Sequence, residues 1–157
     1  MKRILLIAAA VSAVIVLVAS IVAGANTSAP RLHQARTIRV IEHATTDTFV
    51  DIGKEGPSPG DQLTFRNKLY DASDTSIVGH DQGGCVLVSP ALGRWQCSWT
   101  NFLRGGQINV EGPFFETSDT VLAVNGGTGT FQNVRGEMDL RSRAGGTKFL
   151  FVFHLIP

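Results

Sequence analysis

Three side chains in this sequence place reactive or hydrogen-bonding atoms among apolar neighbours: Asn67, Cys85 and Cys97. From Leu63 to Leu69 the odd positions read Leu63, Phe65, Asn67 and Leu69, and the even positions read Thr64, Arg66 and Lys68. Period-two alternation puts the odd set on the buried face of a strand. An amide on that face must find hydrogen-bond partners or cost free energy. It is suited either to tying two strands together or to holding a polar atom of a ligand. Cys85 opens the run Cys85-Val86-Leu87-Val88, and Cys97 lies between Trp95 and Trp99 on one face of a strand from Arg94 to Leu103. With the intervening turn centred on Ala91, antiparallel pairing sets Leu87 opposite Trp95 and Cys85 opposite Cys97, close enough to bridge. Such a disulfide closes a short loop and contributes about 2–3 kcal/mol on a chain-entropy estimate. The competing uses are a free nucleophilic thiol and a metal ligand. His33, His43, His80 and His154 have no metal-site spacing, and neither a metal nor a cofactor is expected.

Short strands must position these residues. The signals run Thr37–Glu42, Asp47–Ile52, Leu63–Tyr70, Ile77–Gly79, Cys85–Ser89, Arg94–Leu103, Gln107–Gly112, Val121–Asn125, Gly136–Ser142 and Lys148–Ile156. Glycine and proline separate them, most densely in the loop Gly53–Gly60. This spacing indicates an antiparallel barrel or sandwich. In the last strand Phe149, Phe151, Phe153 and Leu155 share one face while Leu150, Val152 and Ile156 share the other. A strand apolar on both sides is covered on both sides. A closed barrel with a subunit contact outside meets that need and removes exposed edges. The Gly126–Gly129 run has no Lys-Ser/Thr pair or helix after it and reads as a barrel corner, not a phosphate loop.

The chain opens with Met1-Lys2-Arg3, an apolar run from Ile4 to Val22, and Ala23-Gly24-Ala25. This is the layout of a secretory signal cleaved after Ala25, with an uncleaved anchor over residues 4–23 as the alternative. Residues 1–25 are therefore assigned to the signal, 26–35 to a linker and 36–157 to one domain, secreted or extracytoplasmic. The only expected membrane contact is through the N-terminal segment. Charge is balanced, with 14 Lys+Arg against 13 Asp+Glu, and Glu137 and Asp139 interrupt the densest basic stretch at Arg135, Arg141 and Arg143. A nucleic-acid partner is excluded.

Several motifs in order then resemble the plant allene oxide cyclases: Gly60-Asp61, Phe65-x-Asn67-Lys68-Leu69-Tyr70-Asp71, Gly84-Cys85, Gln107–Phe114, Leu122–Phe131 and Lys148–Phe153. The resemblance spans roughly Glu42 to Ile156. It implies the all-β, eight-stranded antiparallel barrel that those cyclases share with dirigent proteins, usually as a homotrimer. It also implies a cofactor-independent cyclase or isomerase acting on an apolar small molecule inside the barrel. Asn67 matches the family asparagine that helps hold a water at the epoxide oxygen. Cys85 matches its cavity-facing cysteine, and Glu42 its early glutamate. These three are the candidate catalytic residues, and Leu63, Phe65, Leu69, Trp95, Trp99 and Phe114 the candidate cavity wall. Two positions depart from the cyclase pattern: Ala44 replaces a second asparagine, and Phe114 lacks a tyrosine hydroxyl. Val121 and Gln132 stand where dirigent proteins would place their acid and base, which argues against radical coupling. Asn67 and Glu42 are thus expected to steer polar ligand atoms or water, with no fast chemistry of their own. A non-enzymatic carrier and a structural trimer with a filled barrel remain as alternatives.

Overall fold

The computed structural model describes residues 35–156. The proposed signal, its cleavage site and nearly all of the linker lie outside the described residues. Ten strands form the sheet: β1 (Arg36–His43), β2 (Thr48–Val50), β3 (Gln62–Phe65), β4 (Lys68–Tyr70), β5 (Ile77–Ser89), β6 (Arg94–Leu103), β7 (Gly106–Phe115), β8 (Thr120–Gly127), β9 (Arg135–Arg143) and β10 (Lys148–Ile156). Every pairing is antiparallel, and consecutive strands from β5 to β10 pair as a meander. β1 closes the ring by pairing with β10 on one side and β4 on the other, while β2 pairs with β3. β1 and β2 are two halves of one barrel strand, and so are β3 and β4. The molecule is thus a closed eight-stranded antiparallel barrel.

Both halves break at the same level. His43 pairs with Lys68 and Thr48 with Thr64, so residues 44–47 face residues 65–67 and the register slips by one. That is a β-bulge, which interrupts the ladder and leaves backbone groups in need of partners. Leu63–Tyr70 is therefore not the continuous strand its alternation suggests, and Asn67 sits in the gap. The alternation itself survives: Asn67 and Leu69 are buried while Thr64, Arg66 and Lys68 are exposed.

A second difference concerns β5. The runs at Ile77–Gly79 and Cys85–Ser89 are one strand, continuous through Gly83-Gly84. These glycines permit close approach and do not turn the chain. A Cβ at Gly83 would lie 2.4 Å from the Trp99 Cβ, so only glycine lets the indole pack there.

The hairpin from β5 to β6 pairs Leu87 with Trp95 and Cys85 with Cys97. One turn of 3-10 helix at Pro90–Leu92, ending on left-handed Gly93 with φ of 56°, sets that register. The two cysteines form a disulfide with a Cα–Cα distance of 4.0 Å. The interior is filled from all sides, with Leu69, Ile108, Val110, Leu122, Met138, Phe151 and Phe153 almost wholly buried. On β10, Phe151, Phe153 and Leu155 point inward, and Val152 on the other face is buried within the single chain.

Candidate functional site

The bulge determines what surrounds Asn67. Its Oδ1 accepts from Thr45 N at 2.9 Å, Thr46 N at 3.0 Å and Thr46 Oγ1 at 3.0 Å. Its Nδ2 donates to Glu42 Oε1 at 2.8 Å and to Asp47 Oδ1 at 2.7 Å. The amide thus replaces the missing ladder bonds of residues 45 and 46 and spends both of its own protons on carboxylates. Nothing of Asn67 is left over for a ligand. Its backbone N–H donates to Asp81 Oδ1 at 3.1 Å, and its carbonyl accepts from Asp81 N at 3.0 Å.

Glu42 and Asp81 meet behind this amide. Glu42 is only 6 % exposed and Asp81 is fully buried. Both carboxyl groups accept from the same residue, Glu42 Oε1 from Asn67 Nδ2 at 2.8 Å and Asp81 Oδ1 from Asn67 N at 3.1 Å, so the two acids are neighbours. Two neighbouring buried carboxylates repel, which disfavours ionisation of both together. Asp81 Oδ2 meets no N–H or O–H donor from the protein, so nothing there offsets the cost of burying its charge. Burial raises the pKa of Glu42 well above the usual carboxylate range, with the charge of Asp81 adding to the effect and the Asn67 bond opposing it. Burial likewise pushes Asp81 up to about 7, against the lowering effect of the Asn67 N–H. A carboxyl group raised in this way keeps its proton to a higher pH than an exposed one, as general acids in enzymes do.

Glu42 also faces a cavity of about 50 Å³. Glu42 and Asp47 form its polar side. Leu63, Phe65, Trp99 and Phe114 line it, together with Leu140, Phe149, Phe151 and the Cys85–Cys97 bridge. Phe65 meets Trp99 edge-on at 5.9 Å between centroids, and Phe114 meets Phe149 at 5.8 Å. The Trp99 indole N–H is directed to Asn101 Oδ1 at 3.3 Å, away from any ligand role. Bridged, Cys85 has no thiol to offer as a nucleophile. Pockets for drug-sized ligands run to roughly 300–1,000 Å³, so this barrel is nearly full.

Two residues of the expected wall stand elsewhere. Leu69 is fully buried between Glu42 and Gly79 in the ladder. Trp95 lies toward Phe49, edge-on at 6.2 Å, and its indole N–H donates to Glu116 Oε1 at 2.8 Å. Conversely, sequence reasoning passed over Asp81 and Asp47. Asp81 had a usable signal, because it shares the odd-numbered face of β5 with Cys85 and Leu87, both buried. Asp47 had none, since an irregular break carries no periodicity.

The described histidines lie outside this site. His43 stacks on Tyr70 and contacts Asp74 Oδ1 at 2.6 Å, His80 stacks on Phe102, and His154 is exposed. His33 lies outside the described residues.

A closed β-barrel with a small aromatic cavity and one acidic wall is the class of protein that this fold and site define. The family model "Allene oxide cyclase" matches residues 41–156, and the chain belongs to that family. Among solved structures, it is similar to a pyocyanin demethylase at 27 % identity and a TM-score of 0.67, covering 76 % of this chain and 99 % of that one. A pterocarpan synthase dirigent protein matches at 19 % identity and a TM-score of 0.63, covering 79 % and 97 %. An exo-specific intermolecular Diels-Alderase matches at 17 % identity and a TM-score of 0.62, covering 78 % and 98 %. The last two likenesses concern the fold alone.

Proposed function

We propose that this protein binds an apolar small molecule in its barrel and moves a proton on it through Glu42, as a cofactor-independent isomerase or cyclase. The observation that carries this reading is a buried carboxyl group, Glu42, at the polar wall of the cavity, with a second buried acid, Asp81, held on the same Asn67 behind it. Glu42 is the member that faces the cavity, so it is the group that would protonate an epoxide or carbonyl oxygen or remove an acidic C–H proton. Burial beside the charge of Asp81 favours the protonated form of Glu42, which serves as the acid, and its ionised form serves as the base. Asn67 positions Glu42 through its 2.8 Å bond and is not itself a catalytic residue. The apolar remainder of the wall excludes water and fixes the ligand's conformation, which is where such a catalyst gains most of its effect. Membership of the family and the 27 % identical pyocyanin demethylase support chemistry on a small molecule.

The cavity volume favours a second reading, in which the filled barrel serves as a carrier or a structural unit. Two measurements separate the readings. Unsaturated fatty acids and small aromatic ligands titrated against Trp99 emission should quench it if the cavity is a ligand site. Freshly generated allene oxide should give an optically enriched cyclopentenone with the wild type and a racemate with Glu42→Gln. No quenching by any ligand supports the filled barrel, and a racemic wild-type product removes cyclase activity.

We also propose that the chain is exported with cleavage near Ala25 and assembles as a homotrimer. Exposed Val86, Val88 and Ile156 on the outer barrel face favour the assembly. N-terminal sequencing of the mature protein checks the first point. A monomeric mass by light scattering would remove the second.

A further inference from the structure

We propose that the part of the ligand inserted beside Glu42 is a small organic cation; this rests on reading the barrel cavity as a ligand site. The argument begins with what the wall lacks. Its polar atoms are the carboxyl groups of Glu42 and Asp47, and none of its described residues is cationic. Its indole N–H is already directed to Asn101. The Asn67 amide protons are both donated to the carboxyl groups. An anionic head group would find no free N–H donor there and would face two carboxyl groups.

The rest of the wall supplies what a cation uses. Phe65, Trp99, Phe114, Phe149 and Phe151 surround the space. Aromatic rings attract positive charge through their quadrupoles, and quaternary ammonium groups are recognised in this way. A diffuse, weakly hydrated cation also loses little on leaving water, unlike a primary ammonium. Behind Glu42, the buried Asp81 Oδ2 has no donor from the protein. The two acids therefore lack a positive partner from the protein among the described residues. About 50 Å³ admits a head of only a few heavy atoms, so the remainder of the ligand must lie toward the mouth.

Exchange of cation for proton gives the site a signature. The titratable groups that face Glu42 are Asp81 from β5 and Asp47 from the 44–47 segment. The flanking ladder positions, Phe149 on β10 and Leu69 on β4, do not titrate. A cation placed beside Glu42 stabilises its ionised form, so binding should release the Glu42 proton and tighten as pH rises.

The test uses choline, its neutral carbon analogue 3,3-dimethylbutan-1-ol, and butyrate, each titrated calorimetrically into the whole protein. Running the titrations in two buffers of different ionisation enthalpy counts the protons released. We expect choline to bind about ten-fold or more tighter than the alcohol, to release a proton near neutral pH, and to lose its advantage in Glu42→Gln. The wild-type comparison stands alone if that variant fails to fold. Equal or tighter binding of the alcohol or of butyrate overturns the cationic head while leaving the cavity as a ligand site. Binding of none of the three overturns this inference and counts against the ligand-site reading as well.

Discussion

Asp61 and Asp81 are the same residue type, both are fully buried, and their carboxyl groups behave in opposite ways. Asp61 closes the Gly53–Gly60 loop: its Oδ1 accepts from Ile52 N at 2.9 Å and Ser58 Oγ at 3.2 Å, and its Oδ2 from Ser58 N at 2.6 Å. The N–H groups of Ile52 and Ser58 hold its pKa below the usual value. Asp81 has one N–H partner, from Asn67, and its other oxygen has no hydrogen-bond partner in the protein. Burial then dominates and its pKa rises to about 7. Burial alone does not decide a carboxyl's charge; the number of donors aimed at it does. The well-served aspartate is structural, and the under-served one belongs to the candidate site.

The largest way to break this contrast is to remove the amide that organises the acid pair. Asn67→Ala should destabilise the barrel by about 3 kcal/mol, because buried partners on both sides of the amide are left unsatisfied. Urea denaturation measures it, and a loss below about 1 kcal/mol would mean that residues 44–47 are held by something else.

Asp61→Asn should give a smaller loss at neutral pH, since one acceptor oxygen remains for Ile52. The sign of its pH dependence sharpens the comparison. A lowered folded pKa means that the stabilisation from Asp61 is present above the unfolded value and is lost as pH falls through the folded one. Acid titration of the wild type against Asp61→Asn isolates that loss.

Asp81 has the opposite sign. Its folded pKa lies above the unfolded value, so the folded state binds more protons from about pH 4 to about pH 7. The Asp81 contribution is fully present below that window and falls by up to about 1.4 kcal/mol per pH unit as pH rises through it. Asp81→Asn should flatten this slope and raise stability at about pH 8 by about 1–2 kcal/mol, because an amide can donate to Glu42. Urea midpoints at a series of pH values check it, and an unchanged slope would assign the proton to another group.

The smallest effect concerns the site's proton. In Asp81→Asn, Glu42 loses the neighbouring charge that helps raise its pKa, so any acid–base profile tied to Glu42 should shift to lower pH. A profile unmoved by the substitution would show that Asp81 does not act through Glu42.

Local chemistry made much of this protein readable from its sequence. The facing of Cys85 and Cys97 follows from the length of one turn, because hairpin register is a local property. The inward set Trp95, Cys97 and Trp99 follows from the period of a strand, and the family follows from motifs in order. The same alternation placed Asn67 inside but could not show that its atoms are all consumed, since the partners Thr45, Thr46 and Asp47 come from a bulge on another strand. Only the closed barrel brings Glu42 of β1 against Asp81 of β5, across β4 and the break that Asn67 fills. Only packing decides that the cavity is as small as 50 Å³ and that Trp95 and Leu69 stand outside it. Those outcomes depend on how far strands shear around the ring and how completely side chains fill it. Both are set by contacts between residues distant in the chain, which no local pattern encodes.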